Sequence, residues 1–168
     1  FIADHGKHAV AWVDYENQPS TGMAHVFSHL GKPWRSQYWV RKVLDDTFSD
    51  ITPFGGYNGD EDQGQMGALS ALMAIGLFDM DGGASTRPKF DITAPVFDKV
   101  TIHLNPAYHP GKTFVISTKN NHPDHCYIQS AMLNGQPWKS FQVPHEAFAK
   151  GGSLELELGP QPGRWGVD

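Results

Sequence analysis

The hydrophobic pattern of this 168-residue chain changes its period near residue 86, and this change restricts the folds that the chain can adopt. Before that point, apolar residues recur at helical spacing, as they do over residues 40–48. After it, apolar or alternating segments lie between Gly, Pro and Asn residues, at 99–104, 113–117, 126–133 and 153–158. The sequence therefore predicts an α+β fold in which helices precede a small antiparallel β unit.

Two amphipathic helices are predicted in the first 50 residues. One apolar stripe at i, i+3, i+4 and i+7 consists of Met23, Val26, Phe27 and Leu30, and Gly31 closes it. Pro33 suits the first turn of a second helix, whose apolar face consists of Val40, Val43, Leu44 and Phe48. Because a short connection joins them, the two segments predict a helical hairpin.

A glycine-flanked acidic loop, residues 55–65, runs directly into a third, nearly all-apolar helix of about 12 residues that ends near Leu77. Asp60, Glu61 and Asp62 form its acidic centre. A helix N-terminus favours negative charge, so these carboxylates are placed to act as bases, as metal ligands or as both. The alternative is a solvated turn that caps the helix. The flanking glycines and the amides of Gln63 and Gln65 favour the functional interpretation.

Charge and cysteine content exclude some classes of function. The formal net charge is −5 and no block of Lys or Arg occurs, so an electrostatic footprint for nucleic acid is absent from the sequence. No stretch reaches the roughly 18 apolar residues of a membrane span. A single cysteine, Cys126, excludes a disulfide within the chain, and it is either a metal ligand beside the loop 122–125 or inert packing.

Other polar and aromatic groups leave alternatives open. Trp34, Tyr38 and Trp39 can stack on a sugar face, although aromatic residues on an amphipathic helix more often pack in a core. The histidines of segment 122–125 are interpreted as part of a solvated loop between strands. Asn134-Gly135 is a turn signal, and residues 144–148 predict one short helical turn.

Four segments, in order along the chain, resemble glycoside hydrolase family 92, the calcium-dependent exo-α-mannosidases. They are Gly59–Met66 with the following helix to Phe78, Pro95–Leu104, Tyr127–Gly135 and Gly151–Leu154. The resemblance implies that residues 1–80 are the final helices of a catalytic α/α six-hairpin barrel, with the acidic loop 55–65. Residues 81–168 are then a trailing antiparallel β-sheet unit.

The resemblance also implies roles for the acidic loop. It assigns Asp62 as the general base that deprotonates the attacking water and Asp60 as its helper. We expect Glu61, Gln63 and Gln65, which flank them, to contact the substrate. An inverting glycosidase separates its acid and base by about 6.5 to 9.5 Å, so two neighbours on one turn do not form that pair. The resemblance implies that the general acid comes from an N-terminal part of the same enzyme, before Phe1.

A second segment, Tyr15–Gly22, resembles the HGNEPSHH run of the family, with Gln18 at the glutamate position and Thr21-Gly22 at the two histidines. The family uses this run for calcium and sugar, which implies Ca²⁺ as a cofactor here. Glu16, Asn17 and Gln18 carry the oxygen ligands that Ca²⁺ accepts. The alternative is that the segment only starts a helix.

The sequence thus predicts a segment of an inverting, exo-acting α-mannosidase that hydrolyses terminal α-mannosides of glycans. A non-catalytic carbohydrate-binding or interaction module is the alternative, as is a relative that acts on another glycan or on a mannosyl phosphodiester. The expected partners are a mannose-containing glycan and the N-terminal part of the enzyme. From the family resemblance we expect a secreted, periplasmic or cell-surface location.

Overall fold

The computed structural model describes residues 13, 15, 18–48, 50–52 and 61–167. Its helices are a 3₁₀ turn at Gln18–Ser20, α1 (Val26–His29), α2 (Pro33–Thr47), α3 (Gln65–Ile75) and α4 (His145–Ala149). Its strands are β1 (Leu77–Phe78), β2 (Lys89–Ile92), β3 (Lys99–His103), β4 (Thr113–Lys119), β5 (Tyr127–Leu133), β6 (Gln136–Pro137), β7 (Gln142–Pro144) and β8 (Gly152–Gly159). The predicted order of helices followed by strands is confirmed.

The strands form two sheets. The smaller sheet has the order β1-β2-β7 and is antiparallel. The larger has the order β3-β4-β8-β5-β6, in which β4 and β8 run parallel, with Phe114 opposite Gly152. The prediction of a wholly antiparallel unit is therefore wrong at this pair. Residues 120–151 lie between the two strands and include β5, which pairs antiparallel with β8 on its other edge.

Each of the four predicted long strands is present within one or two residues of its expected bounds. Asn134 and Gly135 have φ values of 51° and 75° and form the predicted tight turn between β5 and β6. The predicted helical turn before Gly151 is α4. Strands β1, β2, β6 and β7 were not predicted, because strands of two to four residues are too short to show a period.

The predicted helical hairpin forms, but its first helix has four residues and its buried side differs from the prediction. Met23 and Leu30, at the ends of the predicted stripe, are 43% and 64% exposed. Ala24, His25 and Ser28 are buried instead. The hydroxyl of Ser36 holds this side against α2, because it donates to the His25 carbonyl and accepts the N–H of Ser28, both at 2.9 Å.

Helix α2 buries the face that the sequence predicted. Val40 and Val43 are fully buried, and Leu44 and Phe48 pack against them. This helical cluster also contains Val13, Tyr15, Ala24, Leu69 and Met73. The cluster therefore joins the segment around Tyr15 and the hairpin to helix α3.

Helix α3 is 11 residues long and ends at Ile75, and the next residue, Gly76, has φ 77°. Of its side chains, Met66, Leu69 and Met73 are buried, whereas Ala68 and Ala71 are exposed. A Cβ at Gly76 would lie 2.4 Å from the carbonyl oxygen of Thr93. The helix thus turns into β1 at a corner that has no room for a side chain.

Polar contacts join the helices to the β unit. The side-chain oxygen of Gln37 accepts the N–H of Ile128 at 3.0 Å, beside an irregularity in the pairing of β5 with β8. The guanidinium of Arg41 donates to the carbonyls of Pro95 and Pro123 at 3.1 and 3.2 Å. A second apolar cluster, centred on Phe114, Ile116 and Leu154, fills the β unit. The division of the chain at residue 80 stays a prediction, since β1 already pairs with β2 across it.

None of the helices in the described ranges has the length and hydrophobicity needed to cross a membrane.

Candidate functional site

The acidic turn has an unusual backbone. Asp62 and Gln63 have φ values of 56° and 61°, and Gly64, the residue before α3, has φ 98°. A non-glycine residue in the left-handed region costs of order 1–3 kcal/mol, and such residues cluster at functional sites. Two of them in succession therefore mark this turn as a candidate site.

Glu61 holds the turn against the start of α3. One of its carboxylate oxygens accepts the N–H of Gly67 at 3.0 Å, and the other accepts the N–H of Gly64. Its backbone carbonyl accepts the N–H of Met66 at 3.2 Å. These bonds satisfy amides that a helix start leaves free. Glu61 thus provides the capping that the sequence left as an alternative, while its predicted contact with substrate stays a prediction.

Of the two described carboxylates of the turn, Asp62 is the one with an unpartnered oxygen. Its side chain is half-buried, and Oδ2 is buried without a hydrogen-bond partner among the described residues. A buried carboxylate oxygen without a partner costs free energy, because it has lost water and gained no donor. A water or hydroxyl bound at Oδ2 would remove that cost.

The other predicted residues of the loop are placed only in part. Asp60, the predicted helper, lies outside the described residues, as do residues 55–59. Gln63 is exposed, and Gln65 is half-buried as the first residue of α3. Their contact with substrate stays a prediction.

The predicted calcium segment is described at one residue. Glu16 and Asn17 lie outside the described residues, whereas Gln18 begins the 3₁₀ turn. The Gln18 carbonyl accepts the N–H and the hydroxyl of Thr21, both at 3.1 Å, and its exposed side-chain amide makes no hydrogen bond to another described residue. Amide and carboxylate oxygens are hard ligands, so this donor set fits Ca²⁺ chemically.

Tyr15 anchors this segment in the helical cluster. Its hydroxyl accepts the N–H of Ala24 at 2.9 Å, and burial raises its pKa far above the ordinary value. Tyr15 therefore belongs to the same apolar cluster as Leu69 and Met73 of α3.

A histidine–aspartate group not predicted from the sequence lies between α1 and the smaller sheet. Nε2 of His29 is 2.6 Å from Oδ2 of Asp91, and the Gln142 amide donates to Oδ1 at 2.8 Å. Burial raises the pKa of Asp91, and the two hydrogen bonds offset part of this. No local signal reveals the group, because the pairing of β2 with β7 brings Gln142 beside Asp91.

His25 is buried beside this group. Its ring stacks on Phe78 with centroids 4.1 Å apart, and neither ring nitrogen has a partner within the described part of the chain. Burial and, to a smaller extent, the charge of His29 together lower the pKa of His25 to about 3. His25 is therefore neutral at ordinary pH.

The remaining candidates are mainly structural. Trp39 packs against the helical cluster, and Tyr38, 40% exposed, meets its ring edge to face at 5.0 Å. Cys126 is buried, and burial raises the pKa of its thiol, which agrees with inert packing. His122 and Asp124 are exposed, as expected for a solvated loop. Among described residues, no three His, Cys, Asp or Glu side chains are placed to hold a metal ion.

Comparison with known proteins supplies independent evidence. Residues 3–160 match the model of the glycosyl hydrolase family 92 catalytic domain. A protein of Arthroderma benhamiae named "uncharacterized secreted glycosidase" is 32% identical over 155 residues, which cover 90% of this chain and 19% of that protein.

Solved structures agree with that match. A family GH92 inverting mannosidase from Bacteroides thetaiotaomicron has a TM-score of 0.78 at 34% identity, over 92% of this chain and 20% of that one. An α-mannosidase of the same family and organism, in complex with mannoimidazole, has a TM-score of 0.81 at 23% identity, over 91% and 19%. The chain therefore spans about a fifth of the length of these relatives.

Proposed function

Because the chain belongs to glycosyl hydrolase family 92, we propose that it is the part of an α-mannosidase that supplies the general base. The enzyme removes terminal α-mannosyl residues from glycans with inversion. The observation that carries this proposal is the half-buried Asp62, whose Oδ2 is without a partner among described residues, at the left-handed turn before α3. At this turn Oδ2 of Asp62 has no donor among the described residues to compete with a water.

In the proposed reaction, Oδ2 of Asp62 accepts a proton from a water while the water oxygen bonds to the anomeric carbon. The bond between that carbon and the leaving oxygen breaks, and a general acid protonates the leaving group. That acid comes from a part of the enzyme outside residues 1–168. Asp60 assists Asp62, and Gln63 and Gln65 contact the sugar.

Glu61 contributes by position. Since both of its carboxylate oxygens accept backbone N–H groups, it fixes the path of the chain on either side of Asp62. A base held in place does not have to be oriented during the reaction, and orientation of reacting groups is a large part of enzymatic rate enhancement.

Glu16, Asn17 and Gln18 would hold Ca²⁺, which when bound supplies a positive charge that grips sugar hydroxyls and favours a distorted ring. We further propose that α1, α2 and α3 belong to an α/α six-hairpin barrel completed by the rest of the polypeptide. The relative named as a secreted glycosidase supports secretion as the proposed location.

The test is Asp62→Asn in the full-length enzyme, assayed on an aryl α-mannoside. We expect kcat to fall by about 10² to 10⁴, since this is what general base catalysis contributes. Asn tolerates the left-handed backbone, so the unfolding midpoint should stay close to that of the wild type. Asp98→Asn, at an exposed residue before β3, is the matched control and should keep full activity. Asp60→Asn should cost less than Asp62→Asn.

Retention of more than about a tenth of kcat by Asp62→Asn would reject Asp62 as the base. Proton NMR of the first-formed product provides a separate check of the stereochemistry. Inversion predicts β-mannose before mutarotation, and initial release of α-mannose would reject the single-displacement mechanism. Full-length enzyme without any glycosidase activity would instead favour the binding-module alternative.

A further inference from the structure

A cavity of about 330 Å³ lies on the β unit, away from the elements that carry Asp62. We name it the tryptophan pocket, and its lining residues come from β5, from β6 and the two residues after it, and from the C-terminal segment 164–167. None of these residues belongs to the acidic turn or to α3. The volume is near the lower end of the range for small-molecule sites and suits a ligand about the size of one sugar ring.

Two indole rings give the tryptophan pocket an apolar wall. The N–H of Trp165 donates to the carbonyl of Trp138 at 2.8 Å, and the N–H of Trp138 donates to the carbonyl of Gln142 at 3.1 Å. Both polar edges of the rings are therefore used inside the protein. Trp138 is half-buried whereas Trp165 is only 9% exposed, so the carbon surface on which sugar C–H groups can pack belongs mainly to Trp138.

The polar side chains of the tryptophan pocket are mainly donors. Lys139 and Arg164 are exposed, and neither side chain has a hydrogen bond or ion pair with another described residue. The Gln129 amide nitrogen already donates to the carbonyls of Tyr127 and Gln161. Of the pocket's described lining residues, none is Asp or Glu.

Lys139 and Arg164 give the tryptophan pocket a positive charge, whereas the formal net charge of the whole chain is −5. Two exposed cations without partners among the described residues favour an acceptor-rich ligand, and Arg pairs with planar or tetrahedral anions through two parallel hydrogen bonds. Ser130 lines the cavity, and its hydroxyl donates to a carboxylate oxygen of Glu157 at 3.1 Å. Glu157 itself does not line the cavity.

We propose that the tryptophan pocket is a second saccharide-binding site, selective for a sugar that carries an anionic substituent. The indole ring of Trp138, supported by the buried Trp165, packs against the sugar ring, and Lys139 and Arg164 bind the anion. The site is separate from the hydrolytic centre, so it would hold a charged branch or neighbouring unit of a glycan while Asp62 acts elsewhere.

The test is calorimetric titration of the full-length protein with mannose 6-phosphate, mannose 6-sulfate and mannuronate. Neutral mannose and inorganic phosphate are the comparison ligands. We expect at least one anionic sugar to bind about tenfold or more tightly than either comparison ligand, and its affinity to fall as salt is raised. The three anionic sugars distinguish phosphate, sulfate and carboxylate as the recognised group.

The variant Arg164→Glu should raise the dissociation constant for that sugar by at least about tenfold and leave kcat on an aryl α-mannoside unchanged. Lys112→Glu makes the same charge change at an exposed residue outside the pocket, and it should leave the affinity unchanged. Equal affinity for neutral and anionic sugars would overturn the proposal. So would inorganic phosphate binding as tightly as the sugar phosphate, or equal losses in the two variants.

Discussion

Nε2 of His29 lies 2.6 Å from Oδ2 of Asp91, although the two residues are 62 positions apart in the sequence. The contact joins α1 to the smaller sheet, and Gln142 holds the other carboxylate oxygen. The side chain of Asp91 is 2% exposed and that of His29 is 37% exposed. The hairpin that precedes the acidic turn is therefore tied to the β unit through a buried titratable group.

Asp91→Asn should make stability less sensitive to pH. Because the pKa of Asp91 is raised, its contribution to stability is complete below the unfolded pKa near 4 and is lost as the pH rises through the higher folded value. Asn has no proton to lose. We expect the urea midpoint of Asp91→Asn, relative to the wild type, to improve between pH 4 and pH 8. A relative decline over this range would contradict the assignment.

His25→Phe should remove a second pH dependence, of opposite sign. The pKa of His25 falls to about 3, so its contribution is complete above about 6.5 and is lost as the pH falls. At pH 5 the loss is about 2 kcal/mol, since each unit below 6.5 costs about 1.4 kcal/mol. Phe keeps a flat ring to stack on Phe78.

The measurement is the urea midpoint at pH 7 and pH 5 for the wild type and His25→Phe. We expect the variant to lose less stability between these two values. His103→Phe, at an exposed residue of β3, is the matched control and should lose as much as the wild type. Equal losses in the wild type and His25→Phe would show that His25 does not remain neutral in the folded protein.

Glu61→Ala should lower the free energy of unfolding by about 1 to 2 kcal/mol, because two backbone N–H groups lose a charged acceptor at a helix start. Glu61→Gln keeps one acceptor oxygen and should lose less. The two variants also test the predicted substrate contact. If Glu61 binds sugar directly, Glu61→Gln raises KM; if it only positions Asp62, kcat falls and KM is unchanged.

Calcium should raise the melting temperature of the full-length enzyme, because an ion that binds only the folded state stabilises it by mass action. EDTA should remove activity, and Gln18→Ala should increase the calcium concentration needed for half of the thermal shift. Gln142→Ala, at a residue that is not among the predicted ligands, should leave that concentration unchanged. A chelator-insensitive enzyme, without a thermal shift, would assign residues 16–18 to a structural role.

The long strands were predictable because alternation is a local property, so β3, β4, β5 and β8 could be located from their own residues. Pairing direction is not local. Whether β8 joins β4 parallel or β5 antiparallel depends on how segments tens of residues apart meet, and β8 does both. The same limit applies to α1. The apolar stripe that includes Met23 and Leu30 fits a helix, but it does not indicate which face of the helix packs against the rest of the fold.

The candidate site was likewise predictable from the sequence only in part. The acidic triplet before an apolar helix drew attention to the turn, and its resemblance to a known family indicated chemistry for Asp62. The positive φ values at Asp62 and Gln63 could not be predicted from the sequence, because neither residue type requires a left-handed backbone. The tryptophan pocket was also missed, since Trp138 and Trp165 meet only when β6 and the C-terminal segment fold together.

Gly76 has a consequence for how this sequence can vary over time. Every single-base change that replaces a glycine yields a stop or an amino acid with a Cβ, and here that atom would lie 2.4 Å from the Thr93 oxygen, shorter than the contacts that real Cβ atoms make. No single-base substitution therefore replaces Gly76 with a residue that fits this corner. The loops on either side can change in sequence, length or specificity, whereas this corner must keep its glycine. The direction of α3 relative to β1 is therefore preserved.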